Sequence, residues 1–160
     1  MLTGKKIVLG VSGGIAAYKM ANVASMLSKL HADIHVVMTE NATHFITPET
    51  FEVLTGNHCY TDTFDRCMEL HVPHIALGTQ ADAILIAPAS ADVVGKIANG
   101  IADDMLTTCV LPATCPVMLA PSMNVHMYEN PIVQDNMKKL ASYGYEIIEA
   151  DEGYLACRDI

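Results

Sequence analysis

The chain has 160 residues, 51% of them hydrophobic, and its 18 acidic against 9 basic side chains give a net charge of −9. That length suits one domain burying roughly 70% of its unfolded surface. The acidic balance argues against nucleic acid and anionic membranes as partners. No apolar run approaches the ~20 residues of a membrane span, and the opening MLTGKKIVLG does not read as a signal peptide. The five cysteines form no CxxC pair, so reduced thiols and a cytoplasmic location are expected.

In chain order, residues 5–11 (KKIVLGV) form a short apolar run closed by Ser12-Gly13-Gly14. This reads as a buried strand ending in a tight turn. Residues 15–30 place Ile15, Tyr18, Ala21, Val23, Ala24, Met26, Leu27 and Leu30 near helical spacing. Residues 33–38 (DIHVVM) are a second strand, and 41–54 read as helical pieces broken by Pro48. Residues 56–65 are turn-rich, with a short strand at 58–60. A helix starts near His74 and runs to residue 80. Residues 82–87 (DAILIA) are the clearest strand, expected to end at Pro88. Residues 90–99 and 103–110 read as helices, and 116–120 (PVMLA) as a strand. A helix over 132–143 is closed by Gly144, and 145–148 form a last strand.

Strands alternate with helices, and most strands are continuously apolar. The pattern predicts a single α/β domain over 1–160 with a mostly parallel sheet covered on both faces, a three-layer arrangement. In such folds ligands bind outside the carboxyl ends of the strands. The unusual segments lie there: SGGIAAYK, TENATHF, APASAD and APSMN.

Each candidate has a structural alternative. Ser12-Gly13-Gly14 is a plausible phosphate cradle before a helix start, but it is not GxGxxG and can equally be a plain strand–helix turn. Ser90 and Asp92 can cap a helix or present its N-terminus to a ligand. His74 and His71 lie near Cys67 and Glu69 in sequence, yet no convincing metal-ligand set results, and no metal is expected. Cys59, Cys67, Cys109 and Cys115 read as small apolar fillers. Asn124 can be a helix cap, and Met123 and Met127 core residues.

The ordered set GGIAAYK, PHIAL, APASADVVGKIANGIADDMLT, APSMNVHMYENP and LACRD is far more specific than any member alone. Over about residues 5–159 it resembles the homo-oligomeric flavin-containing cysteine decarboxylases. The resemblance implies a Rossmann-like, flavodoxin-like fold with FMN at the strand carboxyl ends. The phosphate would lie on Gly14, Ile15 and Ala16, with Thr39 and Asn41 beside it. Ser90, Ala91, Asp92 and Val93 would line the flavin, with Ala120 behind it and Phe45 near the ring. His74 and Cys157 would be catalytic. Asn124, Met127, Ala156 and Arg158 would meet the substrate, with Asn124 gripping its carboxylate.

The reaction implied is decarboxylation of 4′-phosphopantothenoylcysteine to 4′-phosphopantetheine in coenzyme A biosynthesis, through a thioaldehyde and an enethiolate. The cofactor carries the redox chemistry and the protein orients groups and manages protons. Histidine suits proton handling near neutrality. A neutral Asn holds a carboxylate without the fixed cation that would oppose CO2 loss. The cysteine would protonate an intermediate. Trimers, or dodecamers of four trimers, are implied as well. Alternatives are a peptidyl-cysteine decarboxylase of lantibiotic maturation and a non-enzymatic regulatory relative. Two departures stand out: Asp92 replaces the family's Asn, and Arg158 replaces a Gly. The family continues beyond this point with a glycine-rich flap over the substrate, so the substrate flap is expected to be incomplete within residues 1–160. No ligase domain fits within this length.

Overall fold

The structure of the protein, a computed structural model, describes residues 1–65 and 73–149. Its described strands are β1 (Lys6–Val11), β2 (Asp33–Met38), β3 (Ala83–Ala89), β4 (Val117–Pro121) and β5 (Glu146–Ile147). They form one five-stranded sheet in the order β2-β1-β3-β4-β5. Every described pairing is parallel, so the expected mostly parallel sheet is entirely parallel here. The described helices are α1 (Met20–Lys29), α2 (Pro48–Thr55), α3 (Pro73–Gln80), α4 (Ala91–Ala98), α5 (Met105–Val110), α6 (Val125–Glu129) and α7 (Pro131–Ser142).

Adjacent strand residues point to opposite faces, and here both faces are apolar and covered. Val8, Val37, Ile84 and Ile86 join a core with Leu77 of α3, Val93 of α4, Leu106 of α5 and Leu140 of α7. Leu9, Val36 and Met38 join a second core with Ala24 of α1 and Phe51 of α2. The three-layer architecture follows from those two cores.

Local details depart from the sequence expectation in ways that shape the site. The predicted helix over 15–30 opens as a 3-10 segment, Ile15–Lys19, with the Ala17 N–H on the Gly14 carbonyl at 2.9 Å. The third strand does not end at Pro88. It continues to Ala89, with a register shift against β4 between Ile86 and Ala89. Proline is tolerated at such an irregularity because no regular ladder bond is asked of its nitrogen. The short strand expected at 58–60 is a single parallel bridge between Val37 and Tyr60. Among the described residues no helix is long and apolar enough to cross a membrane.

Candidate active site

From β1 the chain moves one way across the sheet to β2, then crosses to β3 on the other side of β1. The loops after β1 and β3 therefore diverge at a topological switch point and leave a crevice at the carboxyl edge. A cleft of ≈ 410 Å³ lies there. Thr39, Glu40 and Asn41 form one wall and Gly13 the base. Ser90 to Val93 and Lys96 of α4, with Asp103 and Asp104, form the other wall, and Met127 of α6 closes the rim.

Three hydroxyls hold the backbone of this edge. Ser12 is fully buried and donates through Oγ to the Pro88 carbonyl. The same oxygen accepts the Ser90 N–H at 2.9 Å. Thr39, 7% exposed, accepts the Ala42 N–H at 3.2 Å. Ser90 caps α4, its Oγ accepting the Val93 N–H at 3.3 Å. Gly13 is required by packing: a Cβ there would stand 2.4 Å from Asn41 Cβ, which holds the β1 and β2 loops together.

Helix starts near the site differ in how their orphan N–H groups are satisfied. Asp104 and Thr107 make a reciprocal capping box on α5. Asn124 Oδ1 accepts the His126 N–H at 2.9 Å to start α6, and Asn130 caps α7 in the same way. The segment beginning at Ile15 has no side-chain cap. Gly14, its first flanking residue, is extended, and a Cβ there would meet only Pro88 Cγ, at 3.9 Å. This helix start thus opens onto free space, with backbone donors suited to an anion.

The cleft is acidic apart from Lys96, the one cation on its described lining. Lys96 Nζ lies 3.3 Å from Asp92 and 3.2 Å from Asp103. Burial pushes its pKa down, but the hydrogen bonds and charges of the two carboxylates outweigh that and hold it above the ordinary lysine value. The Asp92–Lys96 pair is an i,i+4 contact legible in the sequence. Asp103 arrives only because the chain reverses between α4 and α5. Gly13, of the expected Ser12-Gly13-Gly14 turn, lines the cleft, as do Glu40, Lys96, Asp103 and Asp104, which the sequence did not single out.

Of the residues expected at the site, Thr39, Asn41, Ser90, Ala91, Asp92, Val93 and Met127 share this cleft. Gly14, Ile15 and Ala16 flank it at the uncapped helix start rather than lining it. Phe45 ends the loop after β2 and is 45% exposed. Ala120 is the penultimate residue of β4, before Asn124. His74 stands in the first turn of α3, outside the cleft lining, and its Nδ1 is buried without a hydrogen bond among the described residues. Ala156, Cys157 and Arg158 lie outside the described residues, as does Cys67. Cys59 and Cys109 are buried, and burial first, with neighbouring carboxylates adding to it, pushes both thiols up to about 12. Thiols so held are inert at neutral pH. No group of three or more metal-ligating side chains occurs among the described residues.

The order 2-1-3-4-5 and the crevice at the β1/β3 switch point define a flavodoxin-like α/β protein. The chain belongs to the flavoprotein family, whose model matches residues 1–160. It is 50% identical over 157 residues to the coenzyme A biosynthesis bifunctional protein CoaBC of Bacillus subtilis (strain 168), covering 98% of this chain and 39% of that protein. The chain thus spans about two-fifths of the length of that curated relative. Among solved structures, the FMN-dependent cysteine decarboxylase SpaF superposes with a TM-score of 0.89 at 38% identity, covering 96% of this chain and 88% of that one. A cysteine-to-serine mutant of PPC decarboxylase, complexed with pantothenoylaminoethenethiol, superposes with a TM-score of 0.85 at 30% identity, covering 97% and 87%.

Proposed function

We propose that this chain is an FMN-dependent decarboxylase that converts 4′-phosphopantothenoylcysteine to 4′-phosphopantetheine in coenzyme A biosynthesis. The observation that carries the reading is the switch-point cleft, walled by the β2 loop and the start of α4 and flanked by an uncapped helix start. Similarity to CoaBC and to a PPC decarboxylase holding a pantothenoyl ligand supports the substrate class. FMN fits these residues. The phosphate suits the open backbone at Gly14, Ile15 and Ala16, beside Thr39 and Asn41. Ser90, Ala91, Asp92 and Val93 wall the flavin, with Ala120 and Phe45 at its margins. When bound, FMN supplies a hydride acceptor and donor for the cysteine side chain.

The chain's own groups orient the substrate and move protons. His74 Nδ1 is buried without a described partner, so the imidazole keeps hydrogen-bonding capacity for a reacting group. Asn124 holds the substrate carboxylate as a neutral donor, and Met127 gives that wall an apolar face. Cys157 is the proton donor for the enethiolate carbon, and Ala156 and Arg158 border the substrate with it. The enzyme works in the cytoplasm as a homo-oligomer, a trimer or a dodecamer of four trimers. Exposed Ile15, Tyr18, Met26 and Phe45 give such contacts an apolar surface. Its ligands are small molecules, not nucleic acid or a membrane.

The test is an absorbance spectrum of the purified protein followed by CO2 release from phosphopantothenoylcysteine and, separately, from a cysteine-terminated peptide. A flavin spectrum and turnover of the phosphopantothenoyl substrate are expected. Turnover of the peptide alone would move the protein to the peptidyl-cysteine decarboxylases. A flavin protein idle on both would be a regulatory relative, and a protein that stays colourless after FMN titration would end the reading.

A further inference from the structure

We propose that Ser12 is a positioning residue: its buried hydroxyl clasps β1 to β3 across the switch point and fixes the backbone from which α4 presents Ser90 to Val93 to the cofactor. The inference rests on the FMN reading above for its ligand, though the clasp itself is a property of the chain. By sequence Ser12 looks like the first polar residue of a phosphate loop. In the fold it is fully buried, and its hydroxyl is already committed. Its one proton goes to the Pro88 carbonyl, and Oγ accepts the Ser90 N–H at 2.9 Å. The Ser12 N–H also reaches the Pro88 carbonyl, at 3.3 Å. A hydroxyl so used does not serve the ligand directly.

The reason for the clasp lies in the sheet. The β1–β3 ladder runs in register from Ile7↔Ala83 to Gly10↔Ile86 and then ends. β3 becomes irregular at the same place, its register against β4 shifting between Ile86 and Ala89. Beyond this point the Ser90 N–H has no β1 backbone partner in the ladder, and the Pro88 carbonyl keeps only the Ser12 N–H. The Ser12 side chain gives the Pro88 carbonyl a second donor and the Ser90 N–H its acceptor, which spares that N–H the cost of being orphaned. The effect passes directly into the cleft wall. Ser90 Oγ accepts the Val93 N–H at 3.3 Å, and the Ser90 carbonyl accepts the Val94 N–H at 2.9 Å. Ser90, Ala91, Asp92 and Val93 are the α4 residues that line the cleft beside Lys96. A shift of Ser90 therefore displaces the first turn of α4 as a unit, and displacements on the order of 1 Å suffice to spoil a bound geometry.

The test uses Ser12→Ala and Ser12→Cys in the full chain, the second keeping side-chain shape while offering only a weak sulfur acceptor. Two quantities are read: the dissociation constant of FMN by flavin fluorescence, and amide hydrogen exchange at Ser90 and Val93 compared with Leu9 and Ile86. Loss of the clasp is expected to weaken FMN about tenfold or more, and to speed exchange at Ser90 and Val93 while Leu9 and Ile86 keep their protection. Wild-type affinity and exchange in a folded variant would overturn the proposal. So would a uniform loss of protection across the sheet, because Ser12 would then be only a general stabiliser. If the wild-type chain binds no FMN, the flavin reading falls, and the exchange measurement still decides whether Ser12 holds the start of α4.

Discussion

The switch-point loops and the first turn of α3 use polar side chains in opposite ways. At the switch point the hydroxyls of Ser12, Thr39 and Ser90 are engaged with backbone groups. What that region offers a ligand is backbone, at an uncapped helix start with open space at Gly14. On α3 the situation is reversed: His74 carries a buried nitrogen without a described partner. The difference teaches a division of labour. On the proposed function, the cofactor would be held by rigid main chain, whereas proton movement would need a side chain whose hydrogen bonding is not already satisfied.

The sharpest test of that division is His74→Asn. Decarboxylation is expected to fall by roughly 10²–10⁴-fold, the usual worth of a general acid–base group, while the flavin spectrum and FMN affinity remain. CO2 release and absorbance on the same sample measure both. Loss of flavin by this variant would erase the distinction between the two regions.

Next in size is Gly13→Ala against Gly14→Ala. The first puts a Cβ 2.4 Å from Asn41 Cβ and 3.1 Å from its carbonyl carbon, so the β2 loop must move. Overpacking of this kind costs about 1–3 kcal/mol, and FMN binding is expected to weaken some tenfold or more. Gly14 is extended with room for a methyl group, so Gly14→Ala should bind FMN more tightly than Gly13→Ala. Equal affinities in a titration would show that the two loops do not depend on the Gly13 contact.

Ser90→Ala removes only the cap of α4. A lost cap costs about 1 kcal/mol, or a fall in Tm of roughly 2–4 °C for a chain of this size, measurable by differential scanning calorimetry. The smallest effect belongs to Lys96→Met. Surface ion pairs contribute about 0–1 kcal/mol, and this one bridges two half-exposed carboxylates. Because the folded-state pKa of Lys96 is raised, its contribution is complete below the ordinary lysine value and is lost as pH rises through the higher folded value. The stability gap between wild type and variant should therefore hold at neutral pH, shrink in high salt, and close in strong alkali. A gap that widens with salt would contradict the assignment.

Much of the fold is legible along the chain because its determinants are local. IVLGV in β1 and AILIAPA in β3 are continuous apolar runs, which only a strand covered on both faces can bury, and DIHVVM ends in one. Ser90 announces a helix start by its own chemistry. The ordered motifs likewise point to the family without any coordinates. Strand order is different in kind, since it depends on pairing between segments far apart in sequence, and no periodicity within a segment states which neighbour it will take. Only the placement of β1 between β2 and β3 makes the loops at Ser12 and Ser90 the two sides of one crevice. The same long-range pairing buries the Ser12 hydroxyl that looked like a ligand group, carries β3 past Pro88, and brings Asp103 to Lys96. Sequence thus determined which segments fold and which chemistry the chain can hold. The tertiary structure decided which polar groups are left free to use it, because a hydrogen bond to distant backbone removes a donor or acceptor that residue type alone would count as available.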